Sequence, residues 1–147
     1  FAATPIVPHA GDDMVRTTSW KIVADGSNQG RSGFQEQPYL GTDDTGHANY
    51  PIDYLVDTIR ARAEAAWQVM GHANGDAAIE QVVTAYERAL DGLADADLRH
   101  RIEHCGMPSE EQVPEIARLG IQPVNQQGIV HHKYRLRVHA QRHVDQL

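Results

Sequence analysis

The 147-residue chain has the size of a single domain. Its composition, 41% hydrophobic and 22% charged, is ordinary for a globular protein and argues against wholesale disorder. The formal net charge of -7 argues against binding to nucleic acid or to an anionic membrane, and no apolar run approaches the roughly 18 residues of a membrane span. The single cysteine, Cys105, rules out an intrachain disulfide and favours a reducing, cytoplasmic location.

Strand and helix signals alternate along the middle of the chain. Short runs rich in strand-forming residues occur at 20–24, 67–71, 101–103 and 121–125. Gly71 stands where a strand former is expected and is predicted to loosen the end of the second strand. A glycine-rich stretch from Asn28 to Asn49 is too long for a simple connection and predicts a loop near an active site.

Apolar residues at three- and four-residue spacing predict a helix after each of the first three strands. The first begins at Pro51, and its apolar face comprises Ile52, Leu55, Val56, Ile59, Ala63 and Ala66. Asp76 is predicted to cap the second, whose apolar face comprises Ile79, Val82, Val83, Tyr86 and Leu90. Ser109 is predicted to cap the third, whose buried side comprises Val113, Ile116, Ala117 and Leu119.

Strands joined by helices predict a parallel sheet with right-handed connections. Two architectures fit this pattern: an open doubly wound sheet, or an arc of a (β/α)₈ barrel. Because a whole barrel needs about 250 residues, a chain of 147 residues would hold about half of one.

Three polar residues lie within or directly after the predicted strands: Lys21, His72 and His104. In both architectures functional groups collect at the carboxyl ends of the strands, so these side chains can converge. A neutral imidazole is a good zinc ligand, and a lysine becomes one after carboxylation by carbon dioxide. Each residue also has a structural alternative: a histidine hydrogen-bonded within the fold, or Lys21 pointing outward or paired with Asp25.

The sequences around these residues resemble successive blocks of the amidohydrolase superfamily. The blocks are WKIVADGS at 20–27, HANGDAAI at 72–79 and RHRIEHC at 99–105, and the resemblance covers roughly 19–126. It is strongest to amidohydrolase family 3, a branch that includes enzymes similar to N-substituted formamide deformylases.

The resemblance implies an α/β fold that forms part of a distorted (β/α)₈ barrel, roughly strands 4 to 7. Lys21, His72 and His104 would end the fourth, fifth and sixth strands and hold one or two divalent cations, with zinc as the first candidate. Lys21 would be the carboxylated or metal-proximal lysine. The expected reaction is hydrolysis of a non-peptide carbon–nitrogen bond in a small amide-like substrate by metal-activated water. Asn74 is a candidate for substrate contact.

Two ligand groups of the family have no counterpart in this sequence: a His-x-His pair on the first strand, and an aspartate after the eighth that is also the general base. Asp25, in a turn, and Asp76, at a helix cap, are poor substitutes. We therefore expect an internal piece of the domain, with an incoming segment at 1–18, a barrel fragment at 19–126 and an atypical, basic, histidine-rich tail at 127–147. Open sheet edges favour homo-oligomerisation.

The neighbours of His104 have structural interpretations. Because side chains alternate along a strand, Glu103 is expected on the face opposite His104, in a salt bridge with Arg101 or Arg99. Cys105 is expected to be a packed residue rather than a nucleophile.

Two alternative functions remain at this point. The missing ligands favour a catalytically inactive metal-binding or scaffold fragment of the family. An open-sheet nucleotide-binding domain is disfavoured, because the sequence has neither a G-x-G-x-x-G turn nor a phosphate-binding loop.

Overall fold

The computed structural model describes residues 6–93 and 97–124, so the tail expected at 127–147 lies outside the described residues. Strands and helices alternate along these ranges, in the order β1 (Ser19–Val23), α1 (Ile52–Glu64), β2 (Gln68–Ala73), α2 (Asp76–Leu90), β3 (Arg101–His104), α3 (Gln112–Arg118) and β4 (Gln122–Val124). In the described part of the chain, no helix has the length and apolar character needed to cross a bilayer.

The four strands form one parallel sheet in the order β1-β2-β3-β4. The predicted parallel α/β fold is therefore confirmed. Each strand pairs with the next one along the chain, without the reversal of strand order that a doubly wound sheet contains. The carboxyl ends of the strands consequently lie along one edge of the sheet.

Helices α1 and α2 pack against each other and cover one face of the sheet. The core between them and the strands is made of fully or almost fully buried apolar side chains, the largest being Tyr86, Leu55, Ile59, Ile79, Ile102, Val69 and Val82. Each such aliphatic side chain contributes about 1.5–3 kcal/mol when removed from water. The Tyr86 hydroxyl lies 3.1 Å from Val69 O and 2.9 Å from Arg101 O, and its single proton, shared between these acceptors, links α2 to both central strands.

The end of α1 and the start of α2 differ from their predicted positions. Ala66 lies beyond α1 in the left-handed region (φ 60°) and is exposed, so it does not belong to the apolar face. Gly75 is the residue before α2, and Asp76 is the first residue of the helix rather than its cap. These differences move element boundaries without changing which elements form.

Helix α3 begins two residues later than its sequence suggests. Ser109 and Gln112 cap it reciprocally, since each side chain accepts a hydrogen bond from the backbone N–H of the other. Ala117 is exposed, contrary to the prediction, whereas Gln112 is buried and donates to Asp76 O and to Glu80 Oε2. Ser109 makes a hydrogen bond of the kind expected of a cap, but the residue directly before the helix is Glu111 rather than Ser109. A polar bridge to α2 replaces one of the expected apolar contacts.

Gly71 lies where α2 packs closely against the sheet. A methyl group on Gly71 would lie 2.9 Å from Val82 Cγ1, closer than packed carbon atoms approach one another. The strand continues beyond this residue to Ala73, so the expectation that Gly71 loosens the strand end is wrong. The glycine instead allows the helix to pack tightly behind His72.

We predict that Gly71→Ala lowers the free energy of unfolding by about 1–3 kcal/mol, because the added methyl group overpacks the contact with Val82. Combining it with Val82→Ala removes the clash, so the double variant should lose less stability than the two single variants added together. Urea denaturation of the four proteins measures this coupling. Strictly additive losses would contradict the assigned contact.

A second buried contact joins β2 to the residue directly before β3. His100 Nδ1 accepts the backbone N–H of Val69 at 3.0 Å, and its ring lies 5.5 Å from that of Tyr86, centroid to centroid. Burial lowers the pKa of His100 below its ordinary value of 6.5, because desolvation disfavours the charged ring. Protonation at Nδ1 would also remove the hydrogen-bond acceptor.

This lowered pKa predicts a loss of stability in acid. The unfolded chain binds a proton at His100 more readily than the folded chain, so the contribution of His100 is complete above about pH 6.5 and declines as the pH falls below it. We expect the urea midpoint to fall between about pH 7.5 and about pH 5, and the His100→Gln variant to lose less over the same interval. Equal losses in the two proteins would show that His100 is not the responsible group.

Candidate metal centre

The two predicted histidine ligands lie side by side at the carboxyl ends of β2 and β3. The ring centroids of His72 and His104 are 4.5 Å apart and the rings meet edge to face, at 75°. His72 lies inside β2 rather than after it, because the strand extends to Ala73. The fold therefore brings these two side chains together, as the sequence predicts.

His104 reaches His72 through an unusual backbone turn. In the register of β2 and β3, His104 pairs with Ala73, which is fully buried on the helix-covered side of the sheet. A fully extended His104 would point to that side as well. Its φ of 69°, followed by 43° at Cys105, lies in the left-handed region and turns the ring toward His72 instead. Such conformations cost of order 1–3 kcal/mol each and cluster at functional sites.

The same turn explains why the prediction for Glu103 fails. Glu103 pairs in register with His72 and therefore shares its face, rather than lying opposite the histidine pair. The expected salt bridge is present, with Glu103 Oε1 3.3 Å from Arg101 Nε, whereas Arg99 pairs with Asp97. Strict alternation of side chains applies only while the backbone stays extended.

Lys21 lies on this face as well. Val23 pairs in register with His72, and Lys21, two residues earlier in β1, pairs with Met70. The Lys21 side chain is exposed. Its positive charge acts on His104, which places the lysine within electrostatic range of the histidine pair.

The surroundings of His104 favour its neutral form. Burial is the largest cause that lowers its pKa below 6.5, followed by His72 and Lys21, while Glu103 and Asp25 act in the opposite direction. At neutral pH the ring therefore carries a nitrogen lone pair, which is the form that binds a metal ion.

Hydrogen bonds around His72 determine which of its nitrogens carries the proton. Nε2 lies 3.0 Å from Gly26 O and 3.4 Å from Asp25 Oδ1, two oxygens that only accept. The Asn74 amide nitrogen, 3.1 Å from Nε2, already donates to Gly26 O at 2.8 Å. We infer that the two acceptor oxygens favour the neutral ring with its proton on Nε2 and its lone pair on Nδ1, although the second N–H of the Asn74 amide could also donate to Nε2. A proton on Nε2 is typical of metal-binding histidines with a second hydrogen-bonding partner.

Asp25 organises the segments around this ring. Its carboxylate is fully buried and accepts the backbone N–H groups of Phe34 at 3.0 Å, Asn74 at 3.0 Å and Gly75 at 2.9 Å. These donors come from the loop that follows β1 and from the turn that follows β2. Because its oxygens are occupied in this way, Asp25 is not placed to act as a general base.

Gly75 is required at the crossing of these segments. A methyl group there would lie 1.9 Å from Phe34 O, so only glycine allows the loop to rest on the start of α2. Asp76 secures the same crossing, since Oδ1 accepts the N–H groups of Glu36 and Ala77 at 2.8 Å each. Asp76 is therefore a structural clamp and no more a free base than Asp25.

Cys105 is buried to 3% exposure, and desolvation raises the pKa of its thiol to about 12. The prediction that it is a packed residue is confirmed, and the raised pKa disfavours the thiolate that a nucleophile needs. Its contribution to the site is its left-handed backbone beside His104.

The described ranges contain a pair of imidazoles rather than a complete ligand set. Across residues 6–93 and 97–124, no group of three or more His, Cys, Asp or Glu side chains is arranged to hold a metal ion. Sequence reasoning missed the contacts of Asp25 and Gly26 with His72, because these residues are 46 or more positions apart. The available signal was the presence of Asp25-Gly26 in the same block as Lys21.

The parallel sheet covered by helices has counterparts among solved structures. It is similar to an uncharacterized metal-dependent hydrolase from Pyrococcus furiosus (TM-score 0.69, 24% identity) and to one from Pyrococcus horikoshii OT3 (TM-score 0.65, 19% identity). Each match covers 80% of this chain but only 24% and 23% of the respective hydrolase chain. The chain thus shares their fold and spans about a quarter of their length.

The sequence matches the Amidohydrolase family over residues 4–146. The chain therefore belongs to the amidohydrolase family, which confirms the resemblance carried by the three sequence blocks. No curated protein matches it significantly.

Proposed function

We propose that this chain carries part of the metal centre of a hydrolase, in which His72 and His104 bind a divalent cation, with zinc as the first candidate. The observation that carries the proposal is the edge-to-face contact of the two imidazoles at neighbouring strand ends. Each ring has a lone pair to offer: His104 because its pKa is lowered, and His72 because the acceptors Gly26 O and Asp25 Oδ1 favour the proton on Nε2. Imidazole nitrogen is a preferred zinc ligand.

A zinc site usually uses three or four protein ligands, so two imidazoles need further donors. Lys21 is the proposed third ligand: its amine, on reaction with carbon dioxide, forms a carbamate whose oxygens bind metal. Its place on the face shared with His72 and its charge effect on His104 support this role. The further ligands and the general-base aspartate expected from the family resemblance are proposed to come from outside the described residues.

The sheet is proposed to be an arc of a (β/α)₈ barrel, roughly its strands 4 to 7. Two observations support the arc. The strand order runs in one direction, and α1 and α2 cover the same face of the sheet. The face that bears Lys21 and His72 would then be the inside of the barrel, where the site lies at the carboxyl ends of the strands.

The proposed reaction is hydrolysis of a carbon–nitrogen bond other than a peptide bond, in an amide or an N-substituted formamide. A bound divalent cation supplies an activated water nucleophile and Lewis acidity. Within this chain, His72 and His104 hold the cation and Gly26 O fixes the orientation of His72. Asn74 is proposed to contact substrate, although its amide nitrogen already donates to Gly26 O.

One observation favours an inactive metal-binding or scaffold role for this chain as a second candidate. In the part of the chain that the structure describes, the two histidines have no third ligand arranged beside them from a carboxylate, thiolate or imidazole side chain. Metal binding without turnover distinguishes this role from catalysis by the chain alone.

We predict that the 147-residue chain binds zinc and that His72→Ala and His104→Ala each weaken this binding at least about tenfold, because each removes one of few ligands. Isothermal titration calorimetry measures the affinities. His9→Ala, which changes an exposed histidine in the segment before β1, is the matched control and should leave the affinity unchanged.

A second variant distinguishes zinc binding at this site from zinc binding by the histidine-rich tail. Replacement of His131, His132, His139 and His143 with alanine should preserve the zinc binding that depends on His72. Binding that disappears in the tail variant and survives in His72→Ala would refute the proposed site. An assay of the zinc-loaded chain with an N-substituted formamide then decides between catalysis and a scaffold role. Release of the amine product indicates catalysis, and zinc binding without amine release indicates a scaffold role.

A further inference from the structure

Asp25 is unusual among the acidic residues of this chain. Within the described ranges it is the only acidic side chain that is fully buried. A buried carboxylate is costly unless hydrogen bonds satisfy it, and here three backbone N–H groups do so. The free-energy cost of burying this carboxylate suggests that its charge has a role beyond holding the loop.

The charge of Asp25 lies beside His72. Oδ1 is 3.4 Å from His72 Nε2, the same nitrogen that lies 3.0 Å from Gly26 O. A ring with the proton on Nδ1 would present the Nε2 lone pair to both a carboxylate and a carbonyl oxygen. That arrangement is repulsive, and only the second N–H of the Asn74 amide, 3.1 Å from Nε2, would offset it, so the Asp25 carboxylate favours the tautomer with the proton on Nε2.

Asp25 also fixes the position of the Gly26 carbonyl that receives this proton. The Asn49 amide donates to Val23 O and to Asp25 O, which holds the chain at the end of β1. From the other side, the Asp25 side chain binds the backbone of the turn after β2, two residues beyond His72. The acceptor and the imidazole are thereby tied to the same carboxylate.

We propose that Asp25 is a positioning residue of the metal site, which acts through His72 by fixing the Nε2–H tautomer and leaving Nδ1 free for a cation. Its effect on metal binding rests on the function proposed above, whereas its effect on the tautomer does not. Asp25 itself is not a ligand, because its oxygens are occupied by backbone N–H groups.

Asp76 provides a matched control for this role. Its carboxylate also accepts two backbone N–H groups and also anchors the loop after β1, through Glu36. The His72 ring contacts Gly26 O and Asp25 Oδ1, and it makes no such contact with Asp76. Asp25→Asn and Asp76→Asn therefore both weaken a loop clamp, but only the first alters the surroundings of the imidazole.

The test combines nitrogen-15 NMR of the metal-free chain, labelled at histidine, with zinc calorimetry. In the unmodified chain His72 should be the Nε2–H tautomer. In Asp25→Asn we expect a mixture of tautomers and a zinc affinity lowered by about 10–100-fold, the usual effect of losing a partner behind a ligand. Asp76→Asn should retain both the tautomer and the affinity.

An Asp25→Asn protein with an unchanged His72 tautomer would overturn the proposal. If the unmodified chain binds no zinc, the proposed metal site fails, but the comparison of tautomers still decides the role of Asp25. Asn74→Ala gives a second test that leaves Asp25 in place, so it should retain the Nε2–H tautomer. A change of tautomer in that variant would assign the positioning role to Asn74 and refute the assignment to Asp25.

Discussion

The buried carboxylate of Asp25 is the interaction on which the candidate site depends. It accepts backbone N–H groups from the loop after β1 and from the turn after β2, and so joins segments that are far apart in the sequence. Charge-assisted hydrogen bonds of this kind are stronger than neutral ones, and removing one partner leaves buried donors unsatisfied at about 1–3 kcal/mol each. The orientation of His72 is thus a consequence of tertiary structure rather than of its own strand.

Two backbone features complete the geometry around that ring. Gly71 lets α2 pack closely behind the strand that bears His72, and the left-handed φ of His104 turns its ring onto the same face. The second feature costs conformational energy, which the surrounding structure must offset. Together they place the ring centroids of His72 and His104 4.5 Å apart. With a fully extended backbone, the register of β2 and β3 would place these two side chains on opposite faces of the sheet.

Local patterns in the sequence were sufficient to predict the four strands, the three helices and the parallel sheet, because apolar spacing and turn residues act over a few positions. The rule that functional groups collect at strand ends also predicts that His72 and His104 converge. Predictions failed where the backbone departs from the regular pattern or a side chain faces solvent. Ala66 and Ala117 are exposed, and the left-handed backbone of His104 turns its ring onto the face that Glu103 shares with His72. The role of Asp25 lies beyond local reasoning, since its partners are up to 50 residues away.

The central claim is that His72 and His104 bind one cation, His72 through Nδ1. The most direct test is NMR of the chain loaded with cadmium-113 and labelled with nitrogen-15 at histidine, in which scalar coupling identifies each ligating nitrogen. We predict coupling of one cadmium ion to Nδ1 of His72 and to a ring nitrogen of His104. Coupling to Nε2 of His72, or coupling confined to other histidines, would contradict it.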